Sequence, residues 1–350
     1  MRRRVLVLFA VSLAVFGGLF AAVFWGFAQF TRPGPLARDT PLVIERGGVE
    51  QITRQLADAG VIEHPLVFAL AVRLTGAAGR LKAGEYLFAA RVPMEDVSRL
   101  LQSGKTIDRR LVVPEGWTTA EILRLMTDQA GFTGTVAPPQ DGELFPSTYY
   151  YKYGDARPWL IQRMRDEMRQ TLQELWDKRA PGLPFTSPRE AVILASIVEK
   201  ETSRASERAR VAGVFINRLK RGMKLEADPT VAYAAMNGQG RLERPISRAD
   251  LALKSPYNTY QFPGLPPGAI GNPGRAALAA ALNPDKHEEL FFVADGQGGH
   301  FFARTLAEHQ KNVQRWRQIE QQRKQARQPD TKQPDTKRPD EGKRPATAEN

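Results

Sequence analysis

SPREAVILASIVEKET, residues 187–202, is the stretch on which the reading of this chain turns. Its first four residues spell a helix start. Ser187 stands at the N-cap, Pro188 at the first helical position where a missing N–H does no harm, and Glu190 where its carboxylate reaches back to the cap. Residues 191–198 are then apolar except for Ser196, so the helix is expected to lie in a core. At about 100° per residue, Glu201 falls among Leu194, Ile197 and Val198, while Glu199 lies about 200° away. Glu201 is therefore expected to face the core or a cleft, and Glu199 to point elsewhere. A carboxyl at the end of an apolar helix face is partly desolvated, which favours the neutral acid and suits it to give up a proton near neutral pH. The competing reading is a helix-end glutamate paired with Arg204 or Arg208. Periodicity alone leaves both open.

Outward from this helix, the pattern toward the C-terminus stays helical with one late hairpin. FFVA (291–294) and FFA (301–303) flank a glycine-rich turn at 296–299, and Thr305 with Glu308 then forms the capping-box pattern of another helix. Toward the N-terminus, residues 158–179 read as an amphipathic helix closed by the prolines of 181–184. Before it come a loop at 131–140, a helix capped by Thr118 or Thr119, and a strand at 108–113. Residues 42–105 form a separate small α+β module in the order strand, helix, helix, strand, helix, with Gly104 as a left-handed cap on the last helix.

The two ends differ from this globular body. Residues 5–28 form an apolar run of 24 residues without a charge. A membrane span needs about 20, whereas the apolar core of a cleaved signal peptide has about 7–15 and a small-residue cleavage site, which is missing here. The run is expected to be an uncleaved anchor, with Trp25 and Phe27 in the outer interfacial layer. Arg2, Arg3 and Arg4, in the short segment 1–4, are expected to keep the N-terminus cytoplasmic. Residues 29–41 are expected to be a Pro-rich linker lifting the folded part off the bilayer. Residues 321–350 hold eight Lys/Arg against five Asp/Glu and repeat QPDTK, a basic Pro-rich tail expected to be disordered.

Composition removes several chemistries. The chain has 350 residues, a formal charge of +12 and no cysteine. Thiolate nucleophiles, disulfides and thiolate metal sites are therefore excluded. The four histidines show no metal-ligand spacing, and there is no Walker loop or nucleophile elbow, so no metal and no cofactor are expected. Arg and Lys form no stripe interleaved with aromatics, and nucleic acid is not an expected partner.

Eight segments together resemble one family: ASIVEKET (195–202), VAGVFINRL (211–219), GM (222–223), DPTV (228–231), YNTY (257–260), GLPPGAI (264–270), FVAD (292–295) and GGH (298–300). The chain is similar over residues 40–320 to the endolytic murein transglycosylases (MltG, YceG-like). That resemblance implies an α+β fold: a single transmembrane helix, a LysM-like module at 42–105 that grips glycan, and a larger, mostly helical catalytic domain at 106–320 with a late β-hairpin. It implies a lyase, anchored in the inner membrane with a periplasmic catalytic domain. Such an enzyme cuts MurNAc–GlcNAc bonds of peptidoglycan without water, leaves 1,6-anhydroMurNAc ends and terminates nascent strands. Peptidoglycan synthases are its implied protein partners. The family's catalytic glutamate maps onto Glu201. Asn217, Asp228, Thr230, Asn258 and Tyr260 are the expected glycan contacts. The chain departs from the family's usual residues at Ser147, Glu226 and Ala234–Ala235.

Overall fold

A computed structural model describes residues 2–327. Helix α1 (Arg2–Thr31) is, among the described residues, the one helix long and apolar enough to cross a membrane. Its far end does not hand over to a free linker. Phe30 packs on the small module with its ring 6.5 Å from Phe68, Trp25 lies 5.3 Å from the His64 ring, and Arg32 pairs with Glu63. Leu36 is buried in the same core, and the 91–92 turn bonds to Gly34 and Leu36. The expected spacer at 29–41 is thus part of the module's packing. Phe30 and Leu36 are the apolar residues that fasten it there.

The module follows the expected order, with β1 (Thr40–Ile44), α2 (Val49–Asp58), α3 (Pro65–Leu74), β2 (Gly84–Phe88) and α4 (Met94–Ser103). The two strands are antiparallel with Leu42 opposite Tyr86, and Ile44, Leu56, Phe68, Phe88 and Leu101 fill the space beneath them. Gly104 ends α4 at φ 70°, where a Cβ would be strained. Arg109 grips the buried Glu85 with two bonds of 2.6 and 2.8 Å and so ties the module to the rest of the chain.

Strand β3 (Arg109–Val112) pairs antiparallel with β4 (Thr148–Tyr151), and α5 (Thr119–Asp128) lies between them in sequence. Its N-terminus carries the expected cap: Thr118 Oγ1 accepts from Glu121 N–H, and the Glu121 carboxylate accepts from Thr118 N–H. Strand β4 was not foreseen. Three successive tyrosines hide an alternation in which Tyr149 and Tyr151 are buried and Tyr150 is exposed.

The main core surrounds α7 (Pro188–Glu201). Around it stand α6 (Arg157–Asp177), α8 (Ala205–Lys220), α9 (Asp228–Ala235) and α11 (Arg275–Leu282), and the short α10 (Arg248–Leu251) packs on α9. Every residue from Ala191 to Val198 is buried, so α7 is covered on all sides rather than along one stripe. Alanine-rich α11 lies against α7 and α8, its small side chains giving the backbones room. The hairpin β5 (Phe291–Ala294) and β6 (His300–Ala303) follows, and α12 (Leu306–Arg327) packs on it. Helix α12 runs past residue 321, where the tail was expected to begin; residues 328–350 of that expected tail lie outside the described residues.

One buried amide joins three loops above α7. Asn272 is fully buried. Its Oδ1 accepts from Gly142 and Leu144 N–H at 3.0 and 2.9 Å, and its Nδ2 donates to the Trp117 carbonyl at 2.9 Å. Next to it, a Cβ on Gly271 would stand 2.4 Å from the Gly116 carbonyl, so only glycine lets the two loops approach this closely. Replacing Asn272 by Ala leaves two buried N–H groups without acceptors. We expect a loss of about 2–4 kcal/mol, read from urea unfolding at constant m-value.

Candidate active site

The cavity is built at the end of α7. The Glu190 carboxylate starts that helix by accepting from the backbone N–H groups of Thr186 and Ser187, and the apolar run then carries it through the core. It ends at Glu201, with Thr202 as C-cap. Glu201 opens into a cavity of about 350 Å³, walled by Arg218 of α8, Glu226 and Asp228 around the start of α9, and Tyr260 of the loop that follows α10. The hairpin adds Phe292 and His300, and α12 closes the top with His309 and Trp316. Larger clefts of about 540–630 Å³ lie elsewhere, and none of them contains Glu201.

Burial first, then the neighbouring Asp228 carboxylate, push the Glu201 carboxyl up to about 8 from its ordinary 4.5, while Arg218 opposes the rise. The partial negative charge at a helix C-terminus acts in the same direction as burial. The rival pairing with an arginine does not occur. Arg204 bonds Glu207 and the Gln297 carbonyl, and Arg208 bonds Glu199. Glu199 points away from the cavity, as its place on the helical wheel implies, but not into solvent. Its side chain is 6 % exposed and accepts from the N–H of Gly274 at the start of α11 at 2.9 Å. One glutamate of the pair braces helices and the other is left facing an open volume.

Two of the five expected glycan contacts share the cavity with Glu201. The Tyr260 hydroxyl donates to Asp228 Oδ1 at 2.7 Å, and burial followed by that carboxylate keeps the phenol protonated well above its usual range. The other three point inward. Asn217 donates to the carbonyls of His287 and Glu289, which holds the approach to β5. Asn258 is fully buried and donates to the Leu251 and Leu253 carbonyls. Thr230, also fully buried, meets the Thr259 hydroxyl at 2.8 Å, and Thr259 in turn holds Ala227 N–H. Thr230 and Asn258 thus anchor the segments that carry Asp228 and Tyr260, and Asn217 anchors the approach to the hairpin.

Several wall residues escaped the sequence reading. Arg218 spends its guanidinium on the carbonyls of Leu290, Lys224 and Leu225 and on the Glu226 carboxylate at 2.9 Å. Glu226 sits at φ 52°, a left-handed conformation that costs a non-glycine residue about 1 kcal/mol or more and is commonest where function demands it. His300 and Trp316 come from elements about 100 residues beyond Glu201, which no local pattern connects to it. The clue for His300 was its place in GGH, directly after a hairpin turn.

With this geometry in hand, comparison with known proteins gives a consistent answer. Residues 42–315 match the YceG-like family. The chain belongs to that family. A Bacillus subtilis protein named endolytic murein transglycosylase is 29 % identical over 77 % of this chain and 82 % of its own length. A Streptococcus pneumoniae protein of the same name is 29 % identical over 87 % of this chain, which spans 64 % of that relative's length. The crystal structure of a yceG-like protein from Listeria monocytogenes superposes with a TM-score of 0.50 at 28 % identity, covering 78 % of this chain and 98 % of that one.

The raised carboxyl has a thermodynamic consequence. Below pH 4.5 folded and unfolded chains both hold the Glu201 proton. Between 4.5 and about 8 the unfolded chain releases it while the folded one keeps it, so stability falls as pH rises through that window. Glu201→Gln removes this loss. The variant is expected to melt above the wild type at pH 9 and level with it at pH 4, by calorimetry at both values; equal shifts at both pH values count against the assignment.

Proposed function

We propose that this protein is an endolytic murein transglycosylase with Glu201 as its acid and base. The observation that carries the reading is a carboxyl kept neutral near pH 7 at the wall of a polar and aromatic cavity, in a chain whose relatives bear that name. Glu201 protonates the glycosidic oxygen between MurNAc and GlcNAc, and the MurNAc acetamido group stabilises the developing cation. The resulting carboxylate removes the proton from the C6 hydroxyl, which closes the 1,6-anhydro ring. No water is consumed, so a second carboxylate to activate one is unnecessary. Asp228 and Tyr260 contact the glycan, and the rings of Phe292 and Trp316 offer stacking surfaces for sugars.

In this reading α1 is a single-pass anchor in the inner membrane, with the N-terminus cytoplasmic and the catalytic domain periplasmic. The three arginines before the span support that direction. The module at 42–105 acts as a LysM-like glycan grip, supported by its order of elements. Packing of Phe30 and Arg32 on the module keeps it close to the bilayer, where nascent strands emerge and peptidoglycan synthases work.

One rival rests on a specific observation. Asp228 lines the same cavity and supplies the second carboxylate that a hydrolytic muramidase requires. Digestion of purified sacculi by the full-length protein in detergent separates the two. Mass spectrometry is expected to find 1,6-anhydroMurNAc ends from the wild type and none from a folded Glu201→Gln variant. Reducing ends in their place establish the hydrolase, with Asp228 as base.

A further inference from the structure

The mechanism above leaves unused one cavity side chain, His300, and the carboxylate that orients it from behind. Glu207, in the first turn of α8, has Oε2 2.8 Å from Nδ1 of His300, and its Oε1 accepts from the His300 backbone N–H at 3.3 Å. Both side chains are mostly buried, at 16 % and 14 % exposure. Phe292 packs edge-on against the imidazole at 5.2 Å and 84°, which restrains the ring plane. The turn that carries His300 is braced as well, because Asp295 accepts from Gln297 and Gly299 N–H at 2.6 and 2.9 Å.

A carboxylate against Nδ1 keeps the proton of the neutral ring there and leaves the lone pair on Nε2. That nitrogen makes no hydrogen bond among the described residues, on a ring that lines the Glu201 cavity. The other lone pairs are less well prepared. One oxygen of Asp228 already holds the Tyr260 hydroxyl, and arginine has no acceptor to offer. His309 stacks on Phe291 at 5.2 Å and has no orienting carboxylate, its Nδ1 being buried without a partner.

We propose that His300, oriented by Glu207, is the base of the ring-closing step. The inference rests on the transglycosylase reading and relieves Glu201 of the second half of its task. Nε2 takes the proton from the MurNAc C6 hydroxyl as that oxygen bonds to C1. The C1–oxygen bond to the leaving GlcNAc breaks, and its electron pair takes the proton that Glu201 delivers. Glu201 ends as a carboxylate and His300 as an imidazolium stabilised by Glu207; return of one proton from His300 to Glu201 through solvent resets the site. The carboxylate–imidazole–substrate arrangement is the one that lets a histidine accept a proton without building isolated charge.

The two mechanisms differ in their pH dependence. A single-glutamate relay needs only a protonated Glu201 at the outset, so its rate falls on the alkaline side alone. A histidine that must be neutral adds a fall on the acid side. The ionisable groups around the ring are Glu207, Arg204 and Asp295 on its own side. Across the cavity stand Glu201, Arg218, Glu226, Asp228, Tyr260 and His309.

The test is the rate of anhydro-end formation by full-length protein on uncrosslinked glycan strands, from pH 4.5 to 9.5, for wild type, Glu201→Gln, His300→Gln, His300→Ala and Glu207→Gln. We expect a bell for the wild type. His300→Gln should lose about 10²–10⁴-fold in kcat with KM within threefold, and should lack the acid limb. Added imidazole should restore part of the His300→Ala rate, and Glu207→Gln should lose less than His300→Gln. Full kcat in a folded His300→Gln, or a reduced rate with the acid limb unmoved and no imidazole rescue, overturns the proposal and makes His300 a wall. If the wild type forms no anhydro ends, the transglycosylase reading fails and takes the base with it. Active wild type, inactive Glu201→Gln and unimpaired His300→Gln refute the base alone.

Discussion

Covering a helix on every side confines its charged groups to its two end turns, and much of the structure around α7 follows from that constraint. Residues 191–198 of α7 have no exposed face. The polar residues 199–202 must then be accommodated one at a time as the helix leaves the core. Glu199 is accommodated by partners: the N-terminus of α11 and Arg208 of α8 accept its charge, so it links the elements on either side. Glu201 receives no such partner and faces a volume instead. Burial raises the carboxyl of both glutamates, against the pull of Gly274 N–H and Arg208 at Glu199 and of Arg218 at Glu201. What differs is that Glu199 is bonded into a brace while Glu201, two residues on, faces the cavity.

The walls of that volume are held by groups that never enter it. Thr230 with Thr259, Asn258 with the 251–253 carbonyls, and Asn217 with the 287–289 carbonyls are all committed bonds in a low-dielectric interior. Each fixes a loop whose neighbour is a cavity residue: Asp228 beside Thr230, Tyr260 beside Asn258, and Arg218 beside Asn217. Side chains that converge on one cavity from several loops need such support, because loops without it would scatter them. The left-handed Glu226 belongs to the same scheme, its carboxylate being drawn onto Arg218 while its backbone turns sharply toward α9.

Connection between the three bodies is also polar and local. The bidentate Arg109–Glu85 pair joins the small module to the β3–β4 sheet, and Asn272 gathers the loops at 116–119, 142–144 and 271–272. At the other end, Phe30 and Trp25 carry the apolar helix into the module's own packing. The module is therefore packed directly against the end of the apolar helix.

Much of this was readable in the chain because the signals are local. Caps at Thr118, Ser187 and Thr305, the left-handed Gly104, the 24-residue apolar run and the glycine turn of the hairpin each depend on neighbours a few residues away. The placement of Glu201 on an apolar helix end also belongs here, since helical periodicity is a property of the backbone. What only the tertiary structure decided are the long-range pairings. Three tyrosines became a strand because β3 was there to pair with them, and a presumed spacer became core because Phe68 was there to receive Phe30. Three polar residues within the shared motifs, Asn217, Thr230 and Asn258, bond inside the protein and do not line the cavity. A hydrogen-bonding side chain looks the same in sequence whether its partner is a sugar or a carbonyl 70 residues away. His300 and Trp316 reach Glu201 only through folding across about 100 residues, a distance over which no periodicity carries information.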